Sequence, residues 1–347
     1  MSILVIGGAG YIGSHTVRAL KKANLNPIVL DNLVHGHERV VNEKLKVPFI
    51  KGNLGDKKLI SNLLEGNTPL TESSPVEGII HFAAFAYVGE SISKPLKYYK
   101  NNVRESIDFL DAVINYNLNY LKSIPIVFSS TCATYGYPQN VPIIEENIQE
   151  PINPYGWSKF FVERCLKDFG KSYGLKSVIF RYFNAAGASP ESDIGEDHNP
   201  ETHLIPLIFE VISGKKEILE VFGDDYPTKD GTCIRDYIHV NDLADAHIKG
   251  LNFLLKKNSV NKKFSPEIFN LGNGKGYSVK EIIEKAELVI GKKLNYKISK
   301  RREGDPPVLI SSSKKAEDIL NWEPRYKKIE IIIDHAWKWY CENNNSY

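Results

Sequence analysis

The stretch that decides the fold lies at the start of the chain, where Ser2-Ile3-Leu4-Val5-Ile6 runs directly into Gly7-Gly8-Ala9-Gly10-Tyr11-Ile12-Gly13. The apolar first half predicts a short buried strand, and the pattern of residues 11–21 predicts a helix. A strand, a G-x-x-G-x-x-G turn and a helix in this order are typical of a dinucleotide-binding βαβ unit. The stretch therefore predicts an α/β fold that begins with a cofactor site.

The three glycines of the turn each have a physical reason to be there. We expect Gly7 to permit the tight turn, Gly10 to let the backbone approach a pyrophosphate, and Gly13 to let the helix pack close to the strand. The start of the helix, at Tyr11 and Ile12, then supplies free N–H groups and a partial positive charge for the phosphates.

A carboxylate follows the second predicted strand. Residues 27–30 are apolar and lead into Asp31, which lies 18 residues beyond Gly13. This is close to the spacing of the acid that binds the adenosine ribose hydroxyls in dinucleotide-binding folds. No Arg stands beside Asp31 to receive a 2′-phosphate, so the residues favour NAD over NADP. The alternative is an unrelated glycine turn with a chance acid downstream.

Composition restricts the class of protein. The chain has 347 residues, 42% of them hydrophobic and 25% charged, with a net charge of +2. This length predicts two domains, and the charge balance argues against a dedicated nucleic-acid binder. We find neither an apolar run long enough to span a membrane nor a secretory leader, so we expect no membrane partner and a cytoplasmic location.

The cysteines and histidines give no sign of a cross-linked or metal-dependent protein. The four cysteines are far apart in the sequence and form no C-x-x-C motif, which fits a reducing compartment. The nine histidines are dispersed, with His35 and His37 as the close pair. We therefore expect neither disulfides nor a metal site.

Strands and helices alternate along the first half of the chain. After the first two strands, apolar runs at residues 47–50, 78–82, 124–128 and 177–180 predict further strands, with helices between them, for example at 103–116 and 160–173. This alternation predicts a Rossmann-type, doubly wound parallel sheet with a smaller C-terminal α/β lobe that binds substrate. We place the NAD-binding domain at residues 1–182, with a return segment near 235–272, and the substrate domain at 183–347.

The best catalytic candidates are a phenol and an ammonium group. Pro154 predicts that a helix starts nearby, and on that helix Tyr155 and Lys159 are one turn apart and share a face. A neighbouring cation favours the phenolate, so Tyr155 could take a proton from a hydroxyl and later return it. Thr131, after the predicted strand at 124–128, could hydrogen-bond the same oxygen. Tyr-x-x-x-Lys alone is weak evidence, because it is common on solvated helices.

Together, these motifs resemble the extended short-chain dehydrogenase/reductase family, and within it the UDP-glucose 4-epimerases and other nucleotide-sugar epimerases. The likeness covers nearly the whole chain. The matching stretches are residues 7–13 (GGAGYIG), 81–84 (HFAA), 88–91 (VGES), 98–103 (YYKNNV), 155–159 (YGWSK), 181–184 (RYFN), 222–228 (FGDDYPT), 235–240 (RDYIHV) and 302–305 (REGD).

The resemblance implies a role for each group of residues. Tyr155 would be the acid and base at the sugar 4-hydroxyl, supported by Thr131, and Lys159 would hold the nicotinamide ribose and depress the Tyr155 pKa. The implied NAD-binding residues are Gly7, Gly10, Tyr11, Ile12, Gly13, Asp31, Asn32, Asn53, Leu54, Phe82, Ala83, Ala84, Asn101, Ser129, Tyr155, Lys159 and Tyr182. The implied residues for the UDP-sugar are Thr131, Asn184, His203, Leu204, Phe222, Arg235, Tyr237, Arg302 and Asp305.

The implied activity is the interconversion of UDP-glucose and UDP-galactose by transient oxidation at C4, with NAD tightly bound and the protein a homodimer. Several positions depart from the most familiar pattern: Thr131 replaces Ser, Asn53 replaces the Asp at adenine, Ala86 replaces Lys, and His203 replaces Asn. They leave UDP-xylose/UDP-arabinose or UDP-N-acetylglucosamine as alternative substrates. The sequence does not identify the preferred sugar.

Two rival readings remain. Related 4,6-dehydratases carry Asp-Glu directly after the Thr, where this chain has Cys132 and Ala133, which cannot serve as that acid and base. An NAD-sensing regulator without enzymatic activity would be typical of chains that lose the Tyr/Lys pair, and this chain keeps both Tyr155 and Lys159.

Overall fold

The computed structural model describes residues 1–72, 74–257, 263–302 and 304–343. In chain order its strands are β1 (Ser2–Ile6), β2 (Asn26–Asp31), β3 (Phe49–Lys51), β4 (Val76–His81), β5 (Ile126–Thr131), β6 (Ser177–Tyr182), β7 (Asn184–Ala186), β8 (Leu219–Phe222), β9 (Ile234–His239), β10 (Glu267–Leu271), β11 (Gly276–Ser278), β12 (Tyr296–Ser299) and β13 (Val308–Leu309).

The helices flank these strands. They are α1 (Tyr11–Lys22), α2 (Lys57–Glu65), α3 (Val88–Ser93), α4 (Pro95–Tyr98), α5 (Glu105–Asn119), α6 (Pro154–Tyr173), α7 (Leu204–Ile212), α8 (Val240–Lys256), α9 (Val279–Ile290), α10 (Lys314–Leu320) and α11 (Ile329–Glu342), with π-helical turns at Val40–Leu45 and Tyr99–Arg104 and a 3-10 turn at Cys132–Tyr135. Among the described residues, no helix combines the length and apolarity needed to cross a membrane.

Seven strands form one parallel sheet in the order β10-β6-β5-β4-β1-β2-β3. The chain starts at β1, builds outward through β2 and β3, and then crosses to β4 on the other side of β1. The direction of winding therefore reverses between β1 and β4, and ligands of such sheets bind at the carboxyl ends of the strands at this reversal. The predicted doubly wound α/β fold is confirmed.

Alternation along β1 divides the core into two layers. Ile3 and Val5 point to one face, where they pack with α1 and α8, while Leu4 and Ile6 point to the other, where they pack with α2, α5 and α6. Both faces are covered by helices, which explains why the strands are apolar throughout rather than alternating with polar residues. The sheet is consequently rigid beneath its carboxyl edge.

The C-terminal lobe has its own core. It contains a small sheet in which β11, β9 and β13 are neighbours and β7 also pairs with β9, a two-stranded sheet of β12 and β8, and helices α7, α9 and α11. The chain returns to the large sheet through α8 and β10. Helix α10 and Trp322 also pack against the first core, so the chain crosses between the lobes more than once.

Candidate functional site

A cleft of about 1180 Å³ lies between the two lobes, at the carboxyl ends of the parallel strands. It brings together residues from nearly the whole length of the chain, from Ile6 to Leu309. The predicted site residues that line it are Gly7, Gly10, Tyr11, Ile12, Gly13, Asp31, Asn32, Leu54, Phe82, Ala83, Ala84, Asn101, Thr131, Tyr155, Lys159, Tyr182, Asn184, His203, Leu204, Phe222, Arg235, Tyr237, Arg302 and Asp305.

The glycine turn has the geometry that the sequence predicts. Gly7 has a φ of +79°, and a Cβ there would lie 2.6 Å from the backbone nitrogen of Ala83. A Cβ on Gly13 would lie 2.1 Å from the carbonyl oxygen of Gly7, so helix α1 packs directly on the turn. At Gly10 the nearest atom to a Cβ is 3.6 Å away, which leaves open space beside the backbone on the cleft wall.

Asp31 lies at the end of β2 and closes this part of the cleft. Its carboxylate accepts hydrogen bonds from the backbone N–H of Ala9 at 3.0 Å and of Leu33 at 2.8 Å. Burial raises the pKa of Asp31, and the backbone hydrogen bonds oppose that rise. A backbone hydrogen bond from Asn32 also reaches this carboxylate. A carboxylate has about four acceptor sites, so Asp31 can still accept a ribose hydroxyl.

Tyr155 stands near the start of helix α6, and its position is fixed by the cap of that helix. Asn153 is the N-cap residue, and its side chain accepts from the N–H of Gly156 at 2.8 Å, while Pro154 occupies the first helical position. The Tyr155 ring is 8% exposed and reaches the cleft. Burial raises the Tyr155 pKa to about 12, and a hydrogen bond from Thr131 lowers it.

Lys159 lies one turn further along the same face. Its ammonium donates to the carbonyl oxygen of Ser129 at 2.7 Å and lies 4.9 Å from the centre of the Phe128 ring. Burial lowers the Lys159 pKa to about 7, although Glu163 opposes this. The causes that set the Tyr155 pKa in this structure are burial, the Thr131 hydrogen bond and Cys132, while the Lys159 ammonium is directed at a backbone carbonyl. The lowering of the Tyr155 pKa by Lys159 stays a prediction.

Two predicted cofactor residues do not line the cleft. Ser129 belongs to β5, which continues to Thr131 and so ends three residues later than predicted. Strand alternation turns the Ser129 hydroxyl to the buried His247, at 2.7 Å, and leaves only its carbonyl for Lys159. Asn53 lies at the rim, where its side-chain oxygen accepts from Asn32 at 3.0 Å.

The opposite end of the cleft carries the predicted arginines. Arg235 extends from β9 and pairs with Asp305 at 3.1 Å, with its side chain only 12% exposed. The Arg302 guanidinium stacks on the Phe222 ring, 4.0 Å from its centre. Glu303, which belongs to the same sequence motif, lies outside the described residues. Two fixed guanidinium groups are well suited to a diphosphate.

Two buried residues that the sequence motifs did not single out connect the elements on which the site residues lie. The buried side chain of Asn102 bonds the backbone N–H and C=O of Phe85 at 2.9 and 3.0 Å and also donates to Ser158, so it ties the loop after β4 to helix α6. Glu163 accepts from Ser130 at 2.5 Å and from Arg181 at 2.7 Å, beneath the catalytic face of that helix. Both lie in predicted motifs or helices, but only long-range contacts reveal their partners.

A second cluster, also missed, lies on the cleft wall before α7. Glu196, His198, Glu201 and His203 direct one ligand atom each to a common point, with all four atoms within 4.8 Å of one another. Burial alone would lower the pKa of both imidazoles. The carboxylates of Glu196 and Glu201 outweigh this and raise the pKa of His198 to about 9 and of His203 to about 10. The spacing E-x-H-x-x-E-x-H is visible in the sequence at residues 196–203 and is the signal that could have identified this cluster.

Comparison with known proteins agrees with this geometry. Residues 4–334 match the family model described as GDP-mannose 4,6 dehydratase. A UDP-glucose 4-epimerase of Streptococcus mutans is 45% identical, over 100% of this chain and 99% of that protein. The crystal structure of UDP-glucose 4-epimerase from Brucella ovis in complex with NAD is 41% identical, with a TM-score of 0.87 over 97% of each chain.

The chain is also similar to a relative whose structure was solved with a dinucleotide and a nucleotide bound together. The UDP-glucose 4-epimerase from Bifidobacterium longum, in complex with NAD⁺ and UDP, has a TM-score of 0.89 and 33% identity over 100% of each chain. Each match covers at least 97% of this chain and of the relative, so it includes every segment that lines the cleft. The chain therefore belongs to the UDP-glucose 4-epimerase family, within the extended short-chain dehydrogenases/reductases, as the sequence motifs indicated.

Proposed function

We propose that this protein interconverts UDP-glucose and UDP-galactose, with NAD held in the cleft throughout turnover. The observation that carries the proposal is the phenol of Tyr155, which is buried and lines the same cleft as the glycine turn and the two arginines, one helical turn from Lys159. The named relatives over the full chain length support the same activity.

The residues present fit a bound dinucleotide. Gly10 leaves room for a pyrophosphate beside the start of α1, whose first turn has no side-chain cap competing for its N–H groups. Asp31 offers carboxylate oxygens for the adenosine ribose. When bound, NAD⁺ supplies the reversible hydride acceptor that removes hydride from C4 and returns it to the opposite face.

Tyr155 then does the proton chemistry. Its oxygen takes the proton of the 4-hydroxyl as C4 is oxidised and returns it when C4 is reduced. A phenol whose pKa burial holds near 12 needs favourable partners to act as a base near neutrality. Thr131 provides one hydrogen bond, and the positive charge of the nicotinamide ring favours the phenolate further.

The arginine end of the cleft holds the substrate while its sugar turns. Arg235 pairs with Asp305 and Arg302 stacks on Phe222, so both guanidinium groups have a contact that limits their freedom before a diphosphate binds. An anchored UDP and a mobile hexose allow both faces of C4 to be presented to one Tyr155.

The alternative function of a dehydratase lacks its catalytic acid. Cys132 stands at that position, and burial raises the pKa of its thiol to about 12.

The direct test is to incubate the purified protein with UDP-galactose and no added NAD, and to separate the products by chromatography. We expect UDP-glucose to form, and parallel assays with UDP-N-acetylgalactosamine and UDP-xylose rank the alternative substrates. If none of these sugars is converted, the proposed function is wrong.

Tyr155→Phe tests the role of the phenol. We expect turnover to fall by about 10²–10⁴-fold, the range for loss of a general acid–base group, while bound NAD stays detectable by its absorbance. Tyr135→Phe is the matched control, because Tyr135 is also buried but does not line the cleft, and its hydroxyl donates to Asn270 at 2.7 Å. Equal activities in the two variants would exclude Tyr155 from the mechanism.

We further propose a homodimer in the cytoplasm. Helices α5 and α6 expose apolar side chains, including Ile107, Leu118 and Phe161, each between 38% and 48% accessible. All four cysteines are free thiols, which suits a reducing compartment. Sedimentation of the protein against a Phe161→Glu variant tests the dimer, and a monomeric wild type would refute it.

A further inference from the structure

We propose that Glu196, His198, Glu201 and His203 form a structural site for a divalent transition metal of the zinc class. This site shares His203 with the residues implied for the UDP-sugar and lines the same cleft, and the proposal does not depend on which sugar is turned over. It replaces the expectation, drawn from the sequence, that the protein has no metal site.

The distances between donor atoms are those of a metal shell. Nδ1 of His203 lies 2.9 Å from Oε1 of Glu196 and 3.0 Å from Oε1 of Glu201. Nδ1 of His198 lies 3.3 Å from Oε1 of Glu196 and 3.7 Å from Oε2 of Glu201. Four ligands at about 2.0–2.1 Å from a tetrahedral Zn²⁺ are separated from one another by about 3.3 Å. The observed separations fall on both sides of that value.

The hydrogen bonding also leaves a ligand atom available. Nδ1 of His198 is buried and makes no hydrogen bond of acceptable geometry to any described residue, although carboxylates approach it closely. A group of ion pairs formed for its own sake would be expected to satisfy this nitrogen. Convergence of two imidazole nitrogens and two carboxylates on one point explains why it faces the cluster centre.

One carboxylate is already oriented by the backbone. Oε1 of Glu201 accepts from the N–H of Thr202 at 2.7 Å and of His203 at 2.8 Å, which holds this carboxylate against the two histidines of the cluster. Hydrogen bonds of this kind, made to ligands from outside the metal shell, orient the ligands of protein metal sites. Two imidazoles with two carboxylates suit Zn²⁺ or Co²⁺ better than Mg²⁺ or Ca²⁺, which prefer oxygen alone.

Four protein ligands leave no open coordination position, so the site would be structural rather than catalytic. All four come from one eight-residue segment that leads into α7, and the His198 ring lies edge-on to Tyr11 of α1, with centroids 6.3 Å apart. A metal would therefore stiffen the wall of the C-terminal lobe where it faces the glycine turn.

The test uses the full chain after dialysis against a chelator. Zn²⁺ is titrated in competition with a chromophoric indicator, and Co²⁺ absorption reports the coordination geometry. We expect one Zn²⁺ per chain, intense tetrahedral Co²⁺ bands, and a rise in Tm on adding Zn²⁺. Wild-type protein that binds no stoichiometric Zn²⁺ overturns the proposal and leaves the cluster as a network of ion pairs.

Paired variants locate the site. The double variant His198→Gln, His203→Gln should lose at least about 100-fold in Zn²⁺ affinity, because altering even an outer-shell partner costs 10–100-fold. The control His35→Gln, His37→Gln removes two histidines of the same region and should bind Zn²⁺ like wild type. Equal affinity in the two double variants would overturn the proposal. If the first variant fails to fold by circular dichroism, Glu196→Gln replaces it with the same expected loss.

Discussion

Substitution of Thr131 is the most direct test of how this cleft sets the pKa of Tyr155. Thr131→Val keeps the shape of the side chain and removes the hydrogen bond that lowers the Tyr155 pKa. Thr131→Ser keeps the hydroxyl and is the matched control. Thr131 is 7% exposed, so water cannot readily replace the lost donor.

The expected size follows from the strength of such a bond. A hydrogen bond to a charged group contributes about 1.5–3 kcal/mol, and one pKa unit corresponds to 1.36 kcal/mol. The Tyr155 pKa should therefore rise by about one to two units in Thr131→Val. Below that pKa the phenolate fraction falls tenfold per unit, so kcat/KM at neutral pH should fall by about 10–100-fold.

The assay is the rate of UDP-galactose conversion between pH 6 and pH 10. Raising the pKa of a base moves the acidic limb of the kcat/KM profile to higher pH, so at every pH below the Tyr155 pKa of both variants the valine variant should be slower than the serine variant by the same factor. Thermal unfolding of both variants controls for the second role of Thr131, which accepts from the N–H of Ala133 at 3.1 Å. An unmoved limb, with rates within about twofold of the serine variant, would refute the reasoning.

Further predictions concern the cofactor turn and the support of α6. Gly13→Ala places a Cβ 2.1 Å from a backbone oxygen, so this variant should have a lower Tm and bind less NAD. Gly10→Ala should keep the wild-type Tm and lose only NAD affinity. Equal losses of Tm in the two variants would contradict this assignment. Glu163→Gln breaks a buried pair with Arg181 (0% and 1% exposed) and should cost about 3–5 kcal/mol in urea unfolding. Its control Asp168→Asn, on the exposed side of the same helix, should leave the unfolding midpoint unchanged.

The large sheet was predictable because its signals are local. Each strand is an apolar run, the glycine turn and the helix after it are contiguous, and buried parallel strands need no long-range information to be recognised. Strand ends were less accurate: β5 continues through Ser129, Ser130 and Thr131, because pairing with β6 overrides the low strand propensity of serine. This error in turn misassigned the Ser129 hydroxyl.

The site was predictable where the chemistry sits in compact motifs. The glycine turn, Asp31 and the Tyr155/Lys159 pair lie on the cleft wall because a strand end or one helical turn positions each of them. The lowered pKa of Lys159 could not be predicted from the sequence, because it depends on burial that the whole fold produces. An i, i+4 spacing indicates a shared face, but it does not say how much water reaches it.

The segment between β7 and α7 shows most clearly what local patterns omit. It contacts the first lobe through Arg18 with Asp193, Lys22 with Glu191 and the Tyr11 hydroxyl with Gly187, pairs separated by 169 to 176 residues. No periodicity encodes such contacts, so the sequence predicts only a long loop there. Yet they hold this wall over the helix that carries the glycine turn. We expect these contacts to slow the release of NAD bound at the glycine turn, because the contacts of Tyr11, Arg18 and Lys22 would have to open for the wall to move away.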